Sequence, residues 1–212
     1  QRQMCIRDSG KGRAMTASAC RDVLLLIEFQ KQWTDRPGLY HRLIDRELRR
    51  NNVIENATRI TATARAAGVP VVHAPLVVDR RDLRGTFATL TRGRVFTAGG
   101  RGAEITDAVY EESDTVIRGR TGFDAFIDSD LESVLRELSA DRVLIGGFVT
   151  DQCVVKTFRT ALAKGFDARV VPAITATFLP VMQRRAERRF AGRTLSLEES
   201  STIVDRRVDP HG

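Results

Sequence analysis

Short, uninterrupted apolar runs separated by stretches of helical spacing predict an α/β chain, a three-layer α/β/α sandwich around a mostly parallel sheet of five to six strands. Each candidate strand is apolar at successive positions rather than at alternate ones, which is the pattern of a strand covered on both faces. Strand and helix alternate along the chain, so the connections are crossovers between parallel neighbours. With 212 residues and 42% apolar side chains, a single domain with a substantial core is expected over residues 15 to 212.

The elements follow in order. Asp22-Val-Leu-Leu-Leu-Ile-Glu28 is a central strand that ends in an acid. Residues 30 to 41 carry Trp33, Pro37 and Gly38 and read as a loop. From about Asn52 to Ala67, Val53, Ile54, Ala57, Ile60 and Ala64 recur at helical spacing, and Gly68 ends the helix. Val69 to Pro75 is the second strand, bounded by prolines. Residues 76 to 101, with Gly85, Gly93, Gly99 and Gly100, are irregular and suit a lid, a binding loop or an oligomer contact. Thr115 to Arg118 is the third strand, Leu131 to Leu138 a helix, and Val143 to Gly146 the fourth strand, which breaks at paired glycines. Asp151 to Lys164 is the next helix, Ala168 to Val171 the fifth strand, and Val181 to Phe190 a basic helix. A sixth, edge strand is expected near Thr202 to Val204, giving the order 3-2-1-4-5 with the sixth outermost. Residues 1 to 14 lack both periodicity and the apolar core of a secretory signal, and Met15 lies just before the first strand. They are set aside as an extension foreign to the domain.

Composition excludes several classes. No apolar run reaches the ~18 residues of a membrane span. Cys5, Cys20 and Cys153 are too few and too scattered for a disulfide framework or a Cys-x-x-Cys site, so a reducing, cytoplasmic setting is inferred. The net charge of +7 gathers in two places, residues 1 to 14 and the helix bearing Arg184, Arg185, Arg188 and Arg189. Neither cluster is interleaved with aromatics, which argues against nucleic acid and for a solvated or interfacial basic face.

In an open parallel sheet the ligand site lies beyond the carboxyl ends of the strands, where the strand order reverses. Here that place is between the first and fourth strands. Glu28 ends one and Cys153 follows the other, so groups 125 positions apart face each other across the crevice. Near a helix start, unpaired N–H groups and the helix dipole favour a thiolate, which would alkylate far below pH ~8.5. A small buried hydrophobe is the other reading of such a cysteine. Glu28 follows five apolar residues, where a carboxylate is unfavourable unless paired, and it can take the thiol proton. Arg118 and Arg120 follow the third strand on the same edge. Either can offset the carboxylate, and either also reads as a surface arginine.

Leu24-Leu-Leu-Ile-Glu-Phe-Gln30, Gly119-Arg-Thr-Gly-Phe-Asp-Ala-Phe126 and Gly146-Gly-Phe-Val-Thr-Asp-Gln-Cys-Val154, in this order, resemble the isochorismatase-like cysteine hydrolase superfamily. His73-Ala-Pro75 and Gly99-Gly-Arg-Gly-Ala-Glu-Ile105 add to the likeness, which spans about residues 22 to 178. The resemblance implies an acid, lysine and cysteine triad that hydrolyses C–N bonds through a thioester. On this chain the nucleophile falls on Cys153 and the acid on Glu28, where the family more often has aspartate. The basic position falls on Arg120, where lysine is usual. The resemblance also implies a cis peptide between Phe148 and Val149, and an oxyanion hole made by the N–H groups of Val149 and Cys153.

Members that keep the cysteine cleave amide, ureido or carbamoyl bonds rather than vinyl ethers, so that chemistry is expected here. Arginine stays protonated, so Glu28 would carry all proton transfer while Arg120 acts by charge alone. Phe29, Trp33, His73, Phe123 and Phe148 are expected to line the substrate pocket. No cofactor is expected, and no metal, because His41, His73 and His211 lack the Asp-x-His spacing of zinc-binding relatives. The resemblance implies a homo-oligomer, a dimer or tetramer, acting on a small molecule. Arg80, Arg81, Arg84, Arg92, Arg94 and Arg101 in and beside the long loop suit a substrate carboxylate. Two other classes remain: a redox protein pairing Cys153 with Cys20, and a catalytically silent scaffold.

Overall fold

Six consecutive buried residues, Asp22–Ile27, form the central strand β1 of a five-stranded sheet in this computed structural model, which describes residues 21–83, 85–190 and 192–205. The chain continues through the helices α1 (Lys31–Thr34), α2 (His41–Arg50) and α3 (Val53–Ala66), then strand β2 (Val71–Ala74). After α4 (Thr86–Thr91) come β3 (Thr115–Val116), α5 (Leu131–Glu137), β4 (Arg142–Phe148), α6 (Val155–Ala163) and β5 (Asp167–Ala176). Helices α7 (Pro180–Glu187) and α8 (Leu197–Asp205) complete it. The strand order is β3-β2-β1-β4-β5 and every pairing is parallel, as the apolar runs predict.

Because neighbouring residues of a strand point to opposite faces, the all-apolar β1 feeds two cores. Leu24 and Leu26 pack with Ile44 and Leu48 of α2 and Val53, Ala57, Ile60 and Ala64 of α3. Val23, Leu25 and Ile27 pack with Leu131 and Leu135 of α5 and Val155, Phe158 and Ala161 of α6. Those two helical layers give the three-layer sandwich.

The paired glycines do not end β4, which runs on to Phe148. They are there for close approach. A Cβ on Gly146 would lie 2.3 Å from Ile174 Cδ1, and one on Gly147 would lie 2.2 Å from the Ile27 carbonyl oxygen. Gly147 also has φ +136°, a conformation that L side chains rarely adopt. The ends of β1 and β4 therefore lie backbone against backbone, in the register Leu26 to Gly146 and Ile27 to Gly147.

Three local expectations are corrected. Residues 30 to 41 hold the short helix α1, and α2 begins at their end, at His41. Residues 76 to 101 are not wholly irregular, since α4 lies within them. The sixth strand near Thr202 to Val204 does not form, because that stretch is the end of α8. Its start is fixed by Ser196 and Glu199: the Glu199 N–H donates to Ser196 Oγ at 3.1 Å, and the Ser196 N–H donates to Glu199 Oε2 at 2.7 Å. This reciprocal pair is a capping box, and it commits the stretch to helix. A single bridge between Val170 and Thr194 lies on β5 instead. Residues 1 to 14, Cys5, Cys20, Arg84 and His211 lie outside the described residues.

Candidate active site

Glu28 is the first residue past β1. Its backbone takes φ 57°, the left-handed region that non-glycine residues seldom occupy. Past this turn its carboxylate is buried rather than solvated. Beyond β4 the Phe148–Val149 peptide is cis, as the resemblance implied. The chain then makes a π-helical turn, Thr150–Val154, that carries Cys153 before α6 begins. The third strand's edge supplies Arg120, while Arg118 stays exposed at the surface.

These elements bring Glu28, Arg120 and Cys153 together. They are 2%, 3% and 3% exposed, so the constellation is sealed from bulk water. Arg120 Nη2 donates to Glu28 Oε1 at 2.5 Å. Its other guanidinium bonds go to main-chain carbonyls: Nη1 to Ala74 at 2.7 Å, Nε to Gly122 at 3.0 Å, and Nη2 also to Phe123 at 3.2 Å. The Cys153 thiol lies beside the Glu28 carboxylate, which raises its pKa, and the Val149 N–H, which lowers it. Burial, and then the Glu28 charge, push that thiol well above its ordinary value, outweighing the opposite pull of Arg120. Both effects favour the neutral thiol over the thiolate expected of a helix start. A helix dipole is weak beside full desolvation and an adjacent carboxylate.

The aromatic residues form one packed set over this centre. Phe29 lies against Phe148 with ring centroids 4.7 Å apart, and Trp33 stacks on Tyr40 at 4.6 Å. Trp33 also meets Phe96, Phe148 and Phe178, each at 6.2 Å. Its indole Nε1 donates to Glu28 Oε2 at 3.1 Å. Phe123 is half-buried beneath the Lys156 ammonium. His73 is placed elsewhere. Its Nε2 bonds Asp114 Oδ2 at 2.9 Å, and Asp114 is held in turn by Arg65 of α3. Burial lowers the imidazole's pKa despite Asp114. His73 thus belongs to a buried network beneath β3, and its ring bonds none of the three residues above.

Several contributors carry no sequence signal of their own. Gln30 accepts the Leu76 N–H and donates to the carbonyls of Leu76 and Ala103, clamping the long loop to β1. Behind the nucleophile turn, Thr150 Oγ1 donates to Gln183 Oε1 of α7, and Gln183 Nε2 donates to Thr175 Oγ1 and Glu187 Oε1. Arg184, Arg185, Arg188 and Arg189 point outward while Gln183 and Ala186 face in, so the basic helix is also the buttress of the cysteine turn. Of the loop arginines, Arg80 donates to the Gly93 carbonyl and Arg101 pairs with Asp35. Among the described residues no group of three or more His, Cys, Asp or Glu could hold a metal, and no helix is long and apolar enough to cross a membrane.

The five-stranded parallel sheet, with Glu28, Arg120 and Cys153 gathered at its switch point, is the frame in which the relatives of this chain are found. The isochorismatase domain family matches residues 22–199, and the chain belongs to this family of hydrolases. It is 28% identical over 152 residues to N-carbamoylsarcosine amidase of Arthrobacter sp., covering 69% of this chain and 56% of that protein's length. It is likewise 28% identical over 140 residues to a "probable inactive nicotinamidase" of Arabidopsis thaliana, covering 61% of this chain and 69% of the other. In structure it resembles a cysteine hydrolase from Pseudomonas syringae pv. phaseolicola 1448A, with TM-score 0.78, 17% identity, and 88% and 93% of the two chains covered.

Proposed function

We propose that the protein is a cysteine-dependent hydrolase that cleaves a C–N bond, amide, ureido or carbamoyl, of a small molecule through a thioester. The observation that supports this reading is the buried Glu28–Arg120 ion pair, 2.5 Å long, with the buried Cys153 beside the Glu28 carboxylate. The likeness to N-carbamoylsarcosine amidase supports the choice of bond.

In this reading Glu28 takes the thiol proton as the sulphur attacks the carbonyl carbon, so the thiolate exists only as it reacts. The carbonyl oxygen gains the negative charge, and the N–H groups of Val149 and Cys153 receive it. As the C–N bond breaks, Glu28 returns the proton to the departing nitrogen, leaving the acyl group on Cys153. Glu28 then takes a proton from water, which attacks the thioester and frees the acid and the thiol. Arg120 stays cationic throughout, holding the carboxylate and offsetting charge.

A panel of small amides, ureido acids and carbamoyl compounds assayed for ammonia release tests this, with Cys153→Ala as the control. Turnover by the parent chain that vanishes in Cys153→Ala is expected. Equal turnover in both would sink the reading. A silent scaffold is the second reading, favoured by arginine at the usual lysine position. It is the outcome if nothing in the panel turns over.

A further inference from the structure

The Trp33 indole was expected to be substrate-pocket wall, but its N–H is spent on Glu28. Both carboxylate oxygens of Glu28 are then held by protein donors, Oε1 by Arg120 at 2.5 Å and Oε2 by Trp33 at 3.1 Å, while the Cys153 thiol approaches the same group. A carboxylate pinned at one oxygen still turns about its last bond, and glutamate has one more torsion than aspartate. A second donor, on the other oxygen, removes that freedom. The donor is itself fixed: Trp33 is buried, stacked on Tyr40, and flanked by Phe96, Phe148 and Phe178. Water does not compete for the bond, because both partners are sealed.

We propose that Trp33 is a positioning residue for the reaction, its indole N–H fixing the plane of the Glu28 carboxylate so that a lone pair faces the Cys153 sulphur. This rests on the hydrolase reading. Substrate binding draws on the pocket walls, whereas the aim of the base matters when the proton moves. The loss therefore falls on kcat and leaves KM.

Trp33→Phe keeps an aromatic ring in the stack and removes the N–H. With a substrate found in the panel, kcat is expected to fall about 10- to 100-fold while KM stays within about threefold, the scale on which positioned proton transfer contributes. An unchanged kcat, or a raised KM with kcat intact, overturns the inference. Trp33 is the single tryptophan of the chain, so its emission reports this bond directly. Glu28→Gln leaves the indole in place and removes the charge beside it, and a shifted emission maximum in the folded variant is expected. An identical spectrum overturns the inference, and this arm decides if Trp33→Phe does not fold. An inactive parent chain overturns both the hydrolase reading and this inference, whereas an active parent with an equally active Trp33→Phe overturns this inference alone.

Discussion

Arg120 commits all three guanidinium nitrogens, to Glu28 and to the carbonyls of Ala74, Gly122 and Phe123. Its side chain and that of Glu28 are 1% and 2% exposed, so removing one strands a buried charge on the other. Arg120→Ala is expected to lower stability by about 3–5 kcal/mol in denaturant titration, the usual result of breaking a buried pair. Arg120→Lys keeps the charge and loses the planar fork, so a smaller loss of about 1–3 kcal/mol is expected with activity retained. If both variants unfold like the parent, the guanidinium does not hold the site. Glu28 acts on the thiol with a definite sign. Its charge and its hydrogen bond both raise the Cys153 pKa, so Glu28→Gln should alkylate at Cys153 with a midpoint at lower pH than the parent. Peptide mass analysis at Cys153 across a pH series reads this directly. A midpoint that does not fall would mean that burial alone holds the thiol neutral.

The contact between β1 and β4 places Glu28 and Cys153 on one edge, and it depends on Gly147. A Cβ there would sit 2.2 Å from a main-chain oxygen, which cannot move as a side chain can, and at φ +136°. Gly147→Ala is therefore expected to destabilise by about 3 kcal/mol or more, seen as a large drop in Tm, and a Tm equal to the parent's would refute the packing argument. This edge was legible in the sequence because it rests on strong local signals, an all-apolar strand ending in an acid and a cysteine at a helix start, whereas the paired glycines read as a strand break and prove to be a close approach. The missed elements have the opposite character. In α2, His41, Ile44 and Leu48 are buried at helical spacing, but only two of them are apolar and they stand among arginines and acids, so the stripe is short. In α8 the β-branched Thr202, Ile203 and Val204 suggested a strand, but the Ser196 and Glu199 box upstream had already fixed a helix. At the site, the three polar members could be placed by topology. The partner of Trp33 could not be, since a tryptophan beside a strand reads first as packing.

On the scale of the whole molecule, the buried His73, Asp114 and Arg65 network is expected to contribute to the response to acid. It ties α3 to β2 and to the start of β3, which pairs with β2 through only Thr115 and Val116. Burial holds the His73 pKa below its ordinary 6.5, against Asp114, with Arg65 adding to the lowering. Below about pH 6.5 the unfolded chain therefore takes up this proton before the folded one does, and stability falls with pH until the folded imidazole titrates as well. Asp114 acts at lower pH. Burial alone would raise its pKa, but the hydrogen bonds from Arg65, His73 and the Glu111 N–H outweigh it and hold it below 3.8. Its contribution is present above that value and is lost as pH falls through the folded value. The first step can be isolated. His73→Gln keeps a donor toward Asp114 and cannot titrate, so its urea midpoint should stay level between about pH 7 and pH 5, where the parent's declines. If the two curves run parallel over that interval, the decline comes from carboxylates elsewhere and His73 has no part in it. A declining parent and a level variant would assign the first acid step to a residue remote from Glu28 and Cys153. Loss of activity in that range would then have to be separated from loss of fold before it is credited to the base.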